Sequence, residues 1–226
     1  MNPKSLDHVA LWVDERDALA TFLYAGCGMH EIERTDTFTL VGGDARRGKL
    51  TLFAAEGPRE RGVLERVVLR VPDLEDCVAR LSEHGAAATE RDGVLTLEAP
   101  AGLPLGLVEQ EVPSVDLDHV LLRLPDPAAS ALAFEALGVD RDGESLRVAD
   151  KRLVLRQGDV REGERPLLNH LAFLVDSALE VQQEAEERGF EIDRVVDAPN
   201  TLAVFVWGPD RIRIEYVEHK PSFSLV

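Results

Sequence analysis

Leu6-Asp7-His8-Val9-Ala10-Leu11 returns 111 residues later as Leu117-Asp118-His119-Val120-Leu121-Leu122. A recurrence at that distance in a chain of 226 residues divides it into two similar halves, and repeats of this kind decide the fold before any single residue does. Around each copy the pattern is the same. A short apolar strand (6–13 or 117–124) leads through Asp into a helix closed by Gly28 or Gly138, and further strands end in Lys49–Phe53 or Lys151–Arg156. Alternation in 117–124 puts Val120, Leu122 and Leu124 on one face and His119, Leu121 and Arg123 on the other.

The unit recurs again inside each half. Leu64–Val71 and Leu168–Val175 read as strands, followed by helices that open at Pro72-Asp73 or Asp176-Ser177 and close at Gly85 or Gly189. Asp or Ser at a helix start and Gly just past its end supply backbone partners that the helix itself lacks. Strands at 94–98 and 103–109, and at 191–196, 202–207 and 211–217, complete the two halves. The segments 56–62, 111–115 and 158–165 read as linkers. The expectation is an α+β chain of four βαβββ modules, at about 1–56, 63–110, 115–158 and 166–218. A module of this kind covers one sheet face with its helix and leaves the other bare, so paired modules curl their bare faces into a cup. Pairing within each half gives two curled mixed-sheet domains with helices outside, an N-terminal one at 1–110 and a C-terminal one at 115–220.

Composition bounds the partners. Lys and Arg number 25 against 42 Asp and Glu, a formal net charge of -17. Such a surface repels phosphate backbones and anionic lipid heads, so neither nucleic acid nor membrane is an expected partner. Cys27 and Cys77 are the only cysteines, which excludes a disulfide framework or a thiolate zinc site as the organising principle. No apolar run reaches membrane-span length, and Met1–Ser5 lacks the pattern of a signal peptide, so a cytoplasmic location is expected. The apolar tail 221–226 has a place either on its own domain or on a second copy in a homo-oligomer.

The opening strands carry a recurrent position, occupied by His8, Arg66, His119 and His170 in turn. The closing strands of the halves align through their prolines, Ala99-Pro100 on Gly208-Pro209, which sets Gly106 against Glu215. The second half therefore holds His119, His170 and Glu215, whereas the first holds His8, Arg66 and Gly106. Two neutral imidazoles and one carboxylate are the ligand set that leaves open positions on a divalent metal, typically Fe(II). On this reading the metal site belongs to the second half, and the first has lost it.

At these residues the chain resembles the vicinal oxygen chelate superfamily, the group of glyoxalases, bleomycin-resistance proteins and type I extradiol dioxygenases. The likeness covers essentially the whole sequence. The four-module extradiol ring-cleaving enzymes are the most similar group, and the resemblance implies Fe(II) or Mn(II) held by His119, His170 and Glu215. A small catechol-like aromatic would chelate that metal and O2 would take an open site. Two departures stand out. The acid–base His that the resemblance implies near 153–158 is missing, and Phe205 occupies the place of the family's Tyr, ten residues before Glu215, so no catalytic residue is assigned. Arg147, Lys151, Arg156, Asn200, Phe205 and Trp207 are the candidates for binding substrate, with Phe205 and Trp207 alternating along one strand as an aromatic wall. Two other classes compete. One is a glyoxalase-like isomerase or lyase that polarises a carbonyl on Zn(II) or Ni(II). The other is a non-catalytic small-molecule binder of the resistance type.

Overall fold

The computed structural model describes residues 1–159 and 165–224. Part of the linker at 158–165 and the end of the tail lie outside them. Module one comprises β1 (Ser5–Val13), α1 (Arg16–Cys27), β2 (His30–Arg34), β3 (Phe38–Gly42) and β4 (Lys49–Ala54). Module two comprises β5 (Leu64–Val71), α2 (Leu74–Glu83), β6 (Thr89–Arg91), β7 (Val94–Ala99) and β8 (Leu103–Glu109). Module three runs through β9 (Asp116–Leu124), α3 (Pro127–Ala136), β10 (Asp140–Asp142), β11 (Ser145–Val148) and β12 (Lys151–Gln157). Module four runs through β13 (Leu168–Leu174), α4 (Ala178–Glu187), β14 (Ile192–Asp197), β15 (Thr201–Trp207) and β16 (Arg213–His219).

The helices begin where the caps require. Asp73, Asp126 and Ser177 accept from the backbone N–H three residues on, at 2.8, 3.0 and 3.2 Å. Each helix is followed by a left-handed glycine, Gly28, Gly85, Gly138 or Gly189. The proline alignment between halves is matched in the backbone. Pro100–Gly102 and Pro209–Arg211 form equivalent 3₁₀ turns, with Ala101 and Asp210 both at positive φ.

The modules pair differently from the expectation. β1 lies antiparallel to β13, and β5 antiparallel to β9. One mixed sheet therefore has the order β14-β15-β16-β13-β1-β4-β3-β2, and the other β10-β11-β12-β9-β5-β8-β7-β6. The curled sheets join module one to module four and module two to module three, so the segments 1–110 and 115–220 are not the two sheets. The physical reason is that each opening strand offers the same kind of edge, and nothing local says which other opening strand it meets.

The faces follow the alternation. Val67, Leu69, Val120, Leu122, Leu171 and Phe173 belong to one continuous core, whereas His119, Leu121 and Arg123 lie outside it. That core also takes residues from all four helices, and α1 meets α2 so closely that a Cβ on Gly26 would lie 2.0 Å from Leu81 Cδ2. Cys27 of α1 and Cys77 of α2 are both free and buried. The sheets are also tied together by charge. Asp116 Oδ1 accepts from Gly48 N at 2.8 Å, while its Oδ2 takes Arg70 at 2.6 Å and Lys151 at 2.9 Å.

Candidate metal centre

Each cup is built from four equivalent positions. In the first sheet β1 pairs with β4 so that His8 lies opposite Lys49 and Ala10 opposite Thr51. β13 pairs with β16 so that Ala172 lies opposite Glu215. His8, Thr51, His170 and Glu215 are thus the four register-equivalent positions of this cup. Strand alternation turns them away from the helix-covered face.

Three of them converge. His8 Nε2 lies 3.1 Å from His170 Nε2 and 3.2 Å from Glu215 Oε2, and His170 Nε2 lies 2.8 Å from the same oxygen. Among the described residues these three form the one group of His, Cys, Asp and Glu with metal-binding spacing. The donors suit a divalent ion. Metal–N and metal–O bonds run about 2.0–2.2 Å, so three ligands at right angles stand about 3.0 Å apart, against about 3.4 Å for tetrahedral ligands. The observed separations would let one ion touch all three, and three protein ligands would leave positions on it for other ligands.

The opposite ring nitrogens fix the tautomers. Asp7 Oδ2 accepts from His8 Nδ1 at 2.8 Å, and Asn169 Oδ1 from His170 Nδ1 at 3.0 Å. Both Nε2 atoms therefore face the cup, the arrangement in which an outer partner orients a ligating imidazole. Asp7 is itself held by Lys49 at 2.8 Å and by His219 at 3.2 Å. Phe223 stacks on His219 at 4.1 Å, which docks this part of the tail on its own module.

Burial and neighbouring charge act against each other in this cluster. Burial pulls the His8 imidazole down, but the Glu215 and Asp7 carboxylates outweigh it and hold it at about 9. Burial dominates at His170, which is lowered. Burial would raise Glu215, yet the two imidazoles bring it down to about 2. In the metal-free state a proton on His8 compensates the buried carboxylate.

The expected convergence is thus changed at one member. His170 and Glu215 meet as expected, but His119 lies on β9 in the other sheet, and His8 takes its place. Phe205 and Trp207 share the cup face of β15. Phe205 stands edge-on to His170 with ring centroids 5.2 Å apart. Trp207 lines a cavity of about 600 Å³ with Trp12, Asn169, Arg194 and Arg213. Asn169 and Arg213 connect this cavity to His170, by a hydrogen bond and by charge, but His8, His170 and Glu215 are not among its lining residues. The other substrate candidates lie elsewhere. Arg147 is within 3.7 Å of Asp142, Lys151 belongs to the Asp116 network, and Arg156 pairs with Asp92 at 3.0 Å, all in the second sheet. Asn200 sits in the turn before β15, where its carbonyl accepts from Lys220 N. Missing from the expectation were His8, Asp7, Asn169, Trp12, Phe53 and Arg213. Only knowledge of which opening strands pair would have assembled them.

No family model matches the chain, and neither does any curated protein sequence. Solved structures do. A "putative dioxygenase" from Bacillus subtilis subsp. subtilis str. 168 superposes with a TM-score of 0.82 at 18% identity, over 98% of this chain and 87% of that one. Glyoxalase I from Zea mays gives a TM-score of 0.75 at 17% identity, over 95% and 92% of the two chains. The cppA protein from Streptococcus pneumoniae TIGR4 gives 0.62 at 16% identity, over 93% and 96%. Four βαβββ modules in two eight-stranded mixed sheets, superposing on these proteins over nearly their full length, give this chain the glyoxalase/dioxygenase fold.

Proposed function

We propose that the chain is a metal-dependent enzyme in which His8, His170 and Glu215 hold a divalent ion, Fe(II) in the first instance, and that it acts as an oxygenase on a small planar substrate with two adjacent oxygens. The observation that carries the reading is the convergence of two imidazole Nε2 atoms and one carboxylate oxygen within 3.2 Å of one another. Two His and one carboxylate with adjacent open positions are the donor set of non-haem Fe(II) oxygenases. When bound, the ion would draw electron density between a chelating substrate and O2.

The protein's own residues supply the rest. Asp7 and Asn169 keep both imidazoles presenting Nε2. Phe205, Phe53 and Trp12 provide aromatic surface around His170, with Phe53 6.2 Å from its ring and 5.3 Å from Trp12. The cavity lined by Asn169 and Arg213 has room for a ring-sized molecule, and Arg213, paired with Asp193 at 3.3 Å, is close enough for its charge to act on His170. General acid–base groups contribute typically ~10²–10⁴-fold to a rate, and no carboxylate other than Glu215 joins the triad among the described residues. Slow turnover, or a substrate that supplies its own proton, is expected.

The test is anaerobic reconstitution with Fe(II), followed by oxygen uptake against a panel of catechols. Uptake that depends on Fe(II) and is lost in Glu215→Ala supports the reading. No uptake above that background, together with turnover of an aldehyde–thiol adduct on Ni(II) or Zn(II), gives the site to a glyoxalase-like isomerase. Failure to retain any divalent ion leaves a non-catalytic binder. His8→Ala should abolish stoichiometric metal binding and His119→Ala should leave it intact. The opposite result would return the site to the second half.

A further inference from the structure

The second cup repeats the first with two changes. β9 and β12 set His119 opposite Arg152, as β1 and β4 set His8 opposite Lys49. Asp118 accepts from His119 Nδ1 at 2.5 Å and from Arg152 at 3.0 Å, as Asp7 accepts from His8 and Lys49. One corner of the metal cup is therefore reproduced, including its buried Asp–His–cation chain. The other corner is not. Arg66 stands in the position of His170, and Gly106 in that of Glu215.

These two changes belong together. A Cβ on Gly106 would lie 2.8 Å from Arg66 Cδ, so the arginine stem occupies the space that a side chain at 106 would need. Arg66 is only 6% exposed, yet among the described residues it has no hydrogen-bond or ion-pair partner. It shares a strand face with Val68 and Arg70, away from the core residues Val67 and Leu69. Its side chain therefore enters the cup. The acids nearest to it are already engaged, Glu65 by Arg123 at 3.1 Å and Asp92 by Arg156 at 3.0 Å. Arg91 adds a further positive charge. On a chain of net charge -17 this cup is locally cationic.

A buried guanidinium without a partner carries a large desolvation cost, and its planar fork matches a carboxylate in two parallel hydrogen bonds. His119 adds a different requirement. β5 and β9 pair Val68 with His119, which makes Arg66 its diagonal neighbour, a separation of about 7 Å that long side chains bridge. With Nδ1 committed to Asp118, Nε2 of the ring is left for the cup. One ligand chemistry satisfies both groups: a carboxylate for Arg66 beside a hydroxyl, which gives or takes a hydrogen bond at His119 Nε2.

We infer that the cup of modules two and three is a second binding site, for a small 2-hydroxycarboxylate, with Arg66 as its anion anchor and His119 as the partner of its hydroxyl. The donor set excludes a metal there, since His119 is the single ligand-type side chain among the four equivalent positions, the others being Arg66, Gly106 and Val154. The site is independent of the metal reading.

The test is calorimetric titration of metal-stripped protein with glycolate, acetate and inorganic phosphate, because a 2-hydroxycarboxylate would also chelate a bound metal. Glycolate should bind once per chain, several-fold more tightly than acetate. Arg66→Met, which keeps the stem over Gly106, should weaken glycolate at least ~10-fold, the scale of a lost hydrogen bond to a charged group. Arg66→Lys, which keeps the charge without the fork, should also weaken it and covers the case in which the Met variant does not fold. His119→Phe should bring glycolate and acetate to equal affinity. No saturable binding by the wild type, or binding indifferent to Arg66, would overturn the site. Phosphate binding more tightly than glycolate would overturn the carboxylate assignment.

Discussion

Asp118 offers a direct measurement of what the second cup's buried charge contributes. Its side chain is 5% exposed and accepts from His119 Nδ1 at 2.5 Å, Gln110 Nε2 at 2.8 Å and Arg152 at 3.0 Å. Burial would raise the carboxyl, but His119 and Arg152 bring it down to about 2 from 3.8. A depressed carboxylate stabilises the fold above its unfolded pKa, and the contribution disappears as pH falls through the folded value. At about 1.36 kcal/mol per unit, the shift is worth about 2 kcal/mol at pH 7, about half that at pH 3 and little below pH 2. Asp118→Asn keeps the shape and an acceptor for His119 while removing the charge. Urea unfolding of both proteins across pH 7 to pH 3 should show the variant less stable by about 2 kcal/mol at neutral pH, with roughly half that difference left at pH 3. A difference that stays constant with pH would mean that packing, not charge, is responsible, and would refute the reasoning.

Asp7→Asn should weaken divalent-metal affinity by about 10–100-fold without abolishing it, measured by chelator competition, because Asp7 orients His8 rather than ligating. Gly26→Ala should cost about 1–3 kcal/mol, since its Cβ would meet Leu81 Cδ2 at 2.0 Å. Thermal unfolding should show Gly26→Ala combined with Leu81→Ala to be less destabilised than the sum of the two single changes. Gly106→Ala should displace the Arg66 stem and weaken glycolate binding while leaving metal content unchanged, read by calorimetry and metal analysis of the same sample.

The modules were legible because their signals are local. Asp or Ser opens three of the helices, Gly closes all four, and two-residue alternation marks the bare face. The alignment of Pro100 with Pro209 was legible for the same reason, and it correctly set Gly106 against Glu215. Which histidine joins His170 and Glu215 was not. His8 and His119 sit in the same hexapeptide context, each behind an Asp and each opposite a cation, Lys49 or Arg152. Only the long-range choice between pairing β13 with β1 or with β9 separates them. That choice is a property of four nearly interchangeable strand edges, and no stretch of residues carries it. The same choice moved Arg147, Lys151 and Arg156 away from the triad, and brought Trp12 and Phe53 from module one up to it.

The pairing has a consequence for how a metal would act on stability. His8 belongs to β1, and His170 and Glu215 to β13 and β16, so a bound ion spans the seam between the first and last modules. That seam closes the sheet by the β1–β13 ladder, in which Ala10 faces His170 and His8 faces Ala172. The β5–β9 seam of the second sheet has no ligand pair across it. An ion bound only by the folded state stabilises by about 2.7 kcal/mol when present at a hundred times its dissociation constant. If local opening of the β1–β13 seam exposes the ligands, the added protection must fall on that seam's amides and not equally on the whole sheet system. Hydrogen exchange with and without Zn(II), a redox-inert ion for these ligand types, should slow the amides of Ser5–Leu11 and Leu168–Leu174 and spare those of Leu64–Val71 and Asp116–Leu124. Equal protection of both seams would mean that the sheets open only together. Protection confined to β5 and β9 would place the ion at His119 and remove the first cup from consideration.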